Sequence, residues 1–495
     1  AIPSYRNLLT RGEAVIKEAK LDSQIRLSTL FSVVFSELEL TEGRDDGASA
    51  AIIISHVGDL QMTGFAAIGS LVERVVYAVA LADPKAALGA DSEDKLKRLL
   101  AGEIVESNGN AAALNRGHLV VGGPIFLEGS GNAALSKKNV ERVLAGPSLA
   151  QLLGADAPTG DLWFHLGPKA WGHSWESIRT ELHSDAKRLE EGPRRTLMAH
   201  LAGAADDVRV IVAGVTLSGG IDIAVTSLFE KGKAASSFLQ TLRAGSESAD
   251  LKGLPNRAPL LAFGARGDGS KNQVLLEGAM AIAVDALGSG NESYAAMTTI
   301  IGPLWGNLNG SRGALYAGKT GLPSLVLVVD TDVPNAIAQA LRKLGNGALG
   351  GDDKIVWNEA AQTIEGVAIG HLKLSEVALD GAGAMIKDFT TARLAVVGKQ
   401  VVLQAGPDIA LLRETISNLK KSEPGLASNA VVRSAQNRLR PEAQAVVLAS
   451  VSRLANFGGE MEPVTVLSGT AITVQDDRLM VDIWVPSSEI AAGAL

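Results

Sequence analysis

At 495 residues this chain is longer than one ordinary hydrophobic core can organise, and its length predicts about two to four domains. Its net charge of −8 at pH 7, with acidic and basic residues interspersed, offers no basic stripe and so argues against nucleic acid as a partner. The absence of cysteine excludes disulfides, thiolate catalysis and thiolate metal sites, and no apolar run approaches the roughly 20 residues that span a bilayer.

The apolar share is 46%, whereas aromatic residues make up only 4%, so the interior is predicted to consist mainly of small aliphatic side chains. That apolar surface belongs either to an Ala-rich core or in part to an interface between subunits, and the composition leaves both open. The sequence begins at Ala1, which fits either removal of a signal peptide or loss of an initiator Met. The lack of cysteine is compatible with export, and we expect export.

In chain order, each half of the sequence predicts the same series of elements. The series is a strand pair, a helix, a shorter hairpin, two strands leading into a helix, another strand, a helical stretch and a closing hairpin. Four blocks of the first half recur in order in the second: AIIISHVGDL from Ala51 with LVLVVDTDVP from Leu325, VVGGPIFLEGSGNAAL from Val120 with VVGKQVVLQAGPDIAL from Val396, DLWFHLGPKAW from Asp161 with QAVVLASVSRLA from Gln444, and VTLSGGIDIAV from Val215 with ITVQDDRLMVDIWV from Ile472. The shared order predicts an internal duplication with an offset of about 275 residues.

The duplication predicts a first module over residues 1–250 and a second over residues 256–495. They meet near Gly245–Pro259, where glycine, proline and polar residues suit a linker. Short, often adjacent strands with turn residues between them favour antiparallel pairing. We therefore expect an α+β fold of two tandem homologous modules, each a mainly antiparallel sheet with helices packed on one face.

The first motif that suggests chemistry is G-x-G-x-x-A at Gly129, Gly131 and Ala134, between a predicted strand and a predicted helix. That context is typical of a dinucleotide-binding turn. The matching positions of the second half are Ala405, Pro407 and Ala410, so the glycines are dispensable to the module. We interpret the motif as a tight turn between strand and helix.

Four of the seven histidines lie in segment 163–200, and three tryptophans accompany them: Trp163, Trp171 and Trp175. A helix is predicted from an N-cap at Ser174 to Gly192, with Ile178 on its apolar stripe. Glu176 and His183 lie off that stripe, two turns apart, which is too far for one metal ion without a third ligand. If the protein has chemistry, this segment is the place to look for it, but a solvated helix beside a Trp-anchored core is the simpler explanation.

The tripeptide Arg266–Asp268 spells RGD, an adhesion motif, but it stands between two apolar runs and is most simply a polar turn. The stretch GALYAGKTG from Gly313 matches the phosphate-binding loop G-x-x-x-x-G-K-[ST], with Lys319 and Thr320 as its key residues. A genuine loop of that type opens a helix, whereas here Pro323 and an apolar strand follow at once. We therefore predict a hairpin turn and no nucleotide site.

Other candidates for catalysis are weaker. The sequence contains no G-x-S-x-G, and Ser130 and Ser218 stand in glycine-rich turns without an identifiable histidine partner. Four carboxylate pairs fall in predicted turns, where Asp is favoured by local hydrogen bonds: Asp45-Asp46, Asp206-Asp207, Asp352-Asp353 and Asp476-Asp477. The residues thus identify no catalytic group and predict no cofactor and no metal.

The repeated blocks as a whole resemble a family of bacterial cell-envelope proteins of unknown function. The resemblance is carried by HLVVGGP and RLAVVGK, each leading into a helix, and by LPSLVLVVDTDVPNAIAQALRKL after ALYAGKTG, and it covers most of the chain. It implies secretion or envelope association, in the periplasm or at the cell surface, and paired α+β modules. It supplies no functional residues.

These observations favour a non-catalytic, extracytoplasmic structural or assembly protein. We expect it to form homo-oligomers, or to bind other envelope proteins, through apolar surface. The reason is that repeated modules naturally build extended or pseudo-symmetric surfaces. Two alternatives stay open. One is a carrier of a hydrophobic ligand in a groove between modules, and the other is an enzyme with its site in segment 163–200.

Overall fold

The computed structural model describes the following residues, to which every structural statement below refers: 4–21, 50–54, 75–83, 93–107, 110–115, 118–122, 133–145, 160–166, 168–230, 238–240, 242–243, 249–271, 273, 277–278, 281, 302–318, 323–343, 355–374, 391–455, 463–475 and 477–491. The chain forms two compact units. The first unit comprises Ala1–Glu181 and Val208–Leu228, and the second comprises Leu182–Asp207 and Phe229–Leu495.

The first unit is built on a five-stranded antiparallel sheet in the order β1-β2-β5-β4-β3. Its strands are β1 (Ala50–Ile54), β2 (Val75–Ala80), β3 (Val105–Ser107), β4 (Asn110–Asn115) and β5 (His118–Gly122). Three helices and three further strands complete the element series that begins in this unit: α1 (Tyr5–Glu18), α2 (Glu93–Leu100), α3 (Ala133–Ala145), β6 (Leu162–Leu166), β7 (Val208–Leu217) and β8 (Gly220–Phe229). Helix α4 (Pro168–Arg188) runs on into the second unit, where α5 (Pro193–Asp206) follows.

The second unit holds ten antiparallel strands in the order β12-β13-β14-β15-β11-β10-β9-β16-β17-β18. They are β9 (Leu261–Arg266), β10 (Leu308–Tyr316), β11 (Ser324–Thr331), β12 (Ile355–Ile364), β13 (Val367–Leu374), β14 (Thr391–Val397), β15 (Gln400–Ala405), β16 (Ala445–Ala449), β17 (Ser468–Gln475) and β18 (Arg478–Pro486). Its later helices are α6 (Pro334–Lys343), α7 (Ile409–Lys421), α8 (Ala430–Gln436), α9 (Val451–Ala455) and α10 (Ser487–Ala491). The α+β class and the antiparallel pairing that the sequence predicts are confirmed.

Helix α7 shows why these residues form helices where they do. The side chain of Asp408 accepts a hydrogen bond from the amide of Ala410 and caps the first turn, and Ser422 ends the helix in the left-handed conformation, at φ 57°. Leu412 and Ile416, four residues apart, are fully buried against the sheet. The helix therefore packs by one apolar stripe.

Helices lie on both faces of each main sheet, which corrects the prediction of one helical face. In the first unit, Val140 of α3 packs on one face and Leu99 of α2 packs on the other. In the second unit, α7 covers one face while Ala338 of α6 packs against Leu394 and Val401 on the other. The physical reason is that strands such as β14 and β15 are apolar at both odd and even positions, so both faces need cover.

The phosphate-loop motif lies in a hairpin, as predicted. Strands β10 and β11 pair antiparallel from Leu308 opposite Thr331 to Tyr316 opposite Ser324, so residues 317–323 are the connection between them. Gly313 is inside β10, where a Cβ would meet the ring of Phe263 at 2.7 Å. Lys319 and Thr320 themselves lie outside the described residues, and strand β11 begins at Ser324, four residues after Thr320.

The stretch predicted as a polar linker is partly packed into the second unit. Leu251 and Leu254 are fully buried in its main core. The carbonyl of Leu254 accepts hydrogen bonds from the amide of Leu426 and the side chain of Asn418. Glycine and proline in this stretch therefore shape a loop that folds against the sheet, and the composition gave no sign of that packing.

Candidate functional site

The most unusual surface of the described residues is an apolar sheet face in the second unit, which we call the open face. It consists of outward side chains of four consecutive strands, β9, β16, β17 and β18: Phe263, Val447, Thr470, Ile472, Val481 and Ile483. Phe263 lies opposite Val447, which lies opposite Thr470, which in turn lies opposite Ile483. Ile472 lies opposite Val481.

The open face is more exposed than apolar side chains at the centre of a sheet usually are. Val447 is 43% exposed and Ile472 is 39% exposed, and the other four members are half-buried. The alternate positions of the same strands are buried: Ala262, Leu448 and Ala471 are inaccessible and belong to the main core. The two faces of these strands thus differ in how far the rest of the unit covers them.

A network of charged side chains lies at one end of the neighbouring strands β9, β10 and β11. Asp330 accepts hydrogen bonds from Arg312 at 2.6 Å, from Arg266 at 3.1 Å and from the side-chain amide of Gln400 at 2.8 Å. Arg266 also contacts Asp250, at 3.1 Å. Arg312 is only 4% exposed. Because these charges are paired and largely out of water, the network fixes the loop that carries Asp250 to the sheet.

This network accounts for the RGD tripeptide. Arg266 ends β9 with its guanidinium bound to two carboxylates, while Asp268 accepts from Ser270 and pairs with Lys271 at 3.0 Å. Hydrogen bonds from Ser270 and Lys271 lower the pKa of Asp268. The tripeptide spans the last residue of β9 and the two residues that follow it, and its arginine is engaged within the fold.

Segment 163–200 contains most of β6, all of α4 and the first part of α5, and a polar contact joins the two helices. Helix α4 begins at Pro168, six residues before the predicted cap at Ser174, because proline suits the first turn of a helix. Its Ile178 is 41% exposed, although the predicted stripe placed it inside. His183 bonds the carboxylate of Asp206, near the end of α5, at 2.9 Å, and both side chains are substantially exposed. The side chains of the three tryptophans lie outside the described residues.

The other residues that the sequence motifs singled out are only partly described, and those that are described lie in ordinary structural positions. Gly129, Ser130 and Gly131 lie outside the described residues, and Ala134 is in the first turn of α3. Ser218 is in the turn between β7 and β8, where its amide bonds the carbonyl of Gly220. No group of three or more His, Asp or Glu side chains within the described ranges is placed to hold a metal ion.

Two further residues carry chemistry that the sequence did not disclose: His371 on β13 and Arg393 on β14 lie directly opposite each other. Arg393 donates from Nη1 to the side-chain oxygen of Gln404 at 2.6 Å and to the carbonyl of Gly406 at 3.1 Å. Both acceptors are uncharged. Pattern alone could not have found this pair, because the sequence does not reveal which strands are neighbours in the sheet.

None of the described helices is both long and apolar enough to cross a bilayer. Comparison of the chain with protein-family models, with curated proteins and with solved structures found no match in any of the three.

Proposed function

We propose that this chain is a non-catalytic structural or assembly protein of the bacterial cell envelope whose copies associate through the open face. The observation that supports this is the exposure of Val447 and Ile472 in the middle of a row of apolar neighbours. Contiguous apolar patches on soluble proteins usually mark interaction sites, since leaving them in water costs about 25 cal/mol per Å² of surface. The extracytoplasmic location rests on the family resemblance.

The occupant that we propose for the open face is a second copy of the chain. All six side chains of the open face are uncharged, so two copies can face each other without burying an unpaired charge. Three of its four strands, β9, β16 and β17, are inner strands of the second unit, where backbone groups are already paired with neighbouring strands on both sides. Association would therefore use side chains, not the addition of a strand.

The proposed duplication of the chain, as modules 1–250 and 256–495, is supported by one matching pair of hydrogen bonds. Asp161 donates its amide to the carbonyl of Val215 at 2.7 Å and accepts, through its side chain, from the amide of Leu217 at 2.9 Å. The proposed equivalent of Asp161 is Gln444. Its amide donates to Ile472 at 2.9 Å, and its side chain accepts from Val474 at 2.6 Å.

The same anchoring pattern thus precedes a strand in both halves and ties that strand to the first strand of the closing hairpin. Helices α3 and α7, which the sequence places in register, have thirteen residues each. In the sheet order, β1 and β5 are separated by β2, and their counterparts in the sequence comparison, β11 and β14, are separated by β15.

The experiment compares the wild-type chain with the double variant Val447→Glu/Ile472→Lys by sedimentation velocity over a range of concentrations and by electron microscopy. Both positions are exposed, so the variant should fold, which circular dichroism checks. We expect oligomers or larger particles for the wild type and monomers for the double variant. The control is Leu100→Glu, which charges an apolar side chain that is 60% exposed on α2.

Oligomers that persist in the double variant, or a wild-type chain that stays monomeric at all concentrations, would contradict the proposal. A wild-type monomer that retains a lipid in native mass spectrometry would instead support the carrier alternative. Fractionation of cells that make the full-length protein tests the proposed location separately.

A further inference from the structure

Arg393 is a part-buried cation whose bonds all go to neutral oxygens. Its Nη1 is engaged by Gln404 and Gly406, and its Nε is buried with no hydrogen-bond partner. The other arginines inside the second unit differ in this respect, since Arg312, Arg266 and Arg440 each pair with an aspartate at 3.1 Å or less. A guanidinium withdrawn from water without a counter-charge is unfavourable.

The residue opposite Arg393 offers a second unused group. His371 faces it across the antiparallel pair of β13 and β14, at a separation typical of neighbouring side chains on one sheet face. The Nε2 atom of His371 is also buried and without a partner. The two residues are therefore cross-strand neighbours, and each carries a buried nitrogen that makes no hydrogen bond.

The surroundings hold the arginine in place. Gln404, directly opposite Arg393 on β15, is inaccessible, and its own amide donates to the carbonyl of Gly406 at 2.8 Å. Gln404 can therefore present its oxygen to Arg393 in only one orientation, because its nitrogen is already committed. The position of the guanidinium is thus fixed before any ligand arrives, which lowers the entropic cost of binding.

We propose that Arg393 and His371 form a binding site for an oxyanionic group, either a carboxylate or a phosphate, which accepts from Arg393 Nε and from His371 Nε2. The group supplies the negative charge that Arg393 lacks and satisfies both unused nitrogens. Arginine suits such a ligand because its planar fork matches the oxygens of a carboxylate or phosphate. This site is distinct from the open face and extends the proposed function.

The protonation of the histidine agrees with this geometry. The pKa of His371 is lowered mainly by burial and, to a smaller extent, by the positive charge of Arg393. At neutral pH the free imidazole is therefore uncharged and offers one N–H. An anion bound beside it favours the imidazolium form and raises that pKa again.

The test measures thermal unfolding of the full-length protein during titration with sodium phosphate and, separately, with sodium succinate, with sodium chloride holding the ionic strength constant. We expect a saturable rise in Tm for at least one of the two anions. The anion that acts identifies the group. In Arg393→Met the apparent affinity should fall at least tenfold, whereas Arg413→Met, which removes an exposed arginine of α7, should behave as the wild type.

Histidine NMR of the wild type provides a readout that does not depend on the folding of a variant. Titration with the active anion should shift the resonances of His371, assigned with His371→Gln, and raise its pKa. If Arg393→Met does not fold, Arg393→Lys replaces it, since lysine keeps the charge and lacks the Nε–H. The proposal is wrong if neither anion gives a saturable effect, or if the wild type and the Arg393 variant respond equally.

Discussion

Single side chains in the second unit show how context decides the role of a charge. Asp330 and Asp332 are two residues apart, yet Asp330 is 14% exposed between two arginines, whereas Asp332 is 53% exposed and pairs with Lys399 on the surface. The sequence shows an identical residue type at both positions. The burial of the aspartate and of its basic partner distinguishes the structural ion pair from the solvated one.

We expect Asp330→Asn to lower the free energy of unfolding by about 3–5 kcal/mol, because it leaves the buried guanidinium of Arg312 without a carboxylate. Urea denaturation measures the loss. The matched control is Asp332→Asn, which should cost little, since both members of its pair lie in water. Equal losses in the two variants would refute the structural role of the network.

His371 gives the fold a dependence on pH that follows from its burial. On its neighbouring strands it lies opposite Asn358 and Arg393, so the charge opposite it is Arg393. Because its pKa is lower in the folded chain, the folded state binds fewer protons than the unfolded state just below the ordinary value of about 6.5. Its contribution to stability is therefore complete above that value and is lost as the pH falls.

The slope of unfolding free energy against pH, measured between about pH 5 and 7, should decrease in His371→Gln. It should also decrease in Arg393→Met, since the charge of Arg393 is the second cause of the lowered pKa. An unchanged slope in both variants would show that His371 is not the group that titrates.

At the scale of elements, the order of the helices and strands along the chain could be predicted better than their boundaries or their packing. The hairpin of β10 and β11 could be predicted because an alternating run, a glycine-containing turn and a second apolar run stand together. The start of α4 was missed because Ser174 looks like a cap, whereas Pro168 is equally suited to a first turn. The buried leucines of the predicted linker were missed because composition cannot show what a loop packs against.

Leu254 tests that last point. We expect Leu254→Ala to destabilise the protein by about 2–5 kcal/mol, because the side chain is fully buried and its loss leaves a cavity. Leu100→Ala, at a position that is 60% exposed, should have a far smaller effect. Thermal unfolding of both variants measures the two losses of stability. Equal losses in Leu254→Ala and Leu100→Ala would indicate a free linker and contradict a packed loop.

At the scale of the whole molecule, the open face could not be predicted from the sequence. Strands β16 and β17 are apolar on both faces, and nothing in their residues tells which face a helix covers. The composition did leave open an interface between subunits, and the open face carries two of the exposed large apolar side chains of the described residues, Val447 and Ile472. His371 and Arg393 were likewise invisible, since their proximity depends on the sheet order.

The most direct measurement of the central proposal uses the absence of cysteine. In Val447→Cys the introduced thiol is the only one in the chain, so maleimide labelling reports on the open face alone. We expect the labelling rate to fall as protein concentration rises, because association covers the face, while the exposed control position in Thr363→Cys keeps its rate. A rate for Val447→Cys that is independent of concentration would contradict association through the open face.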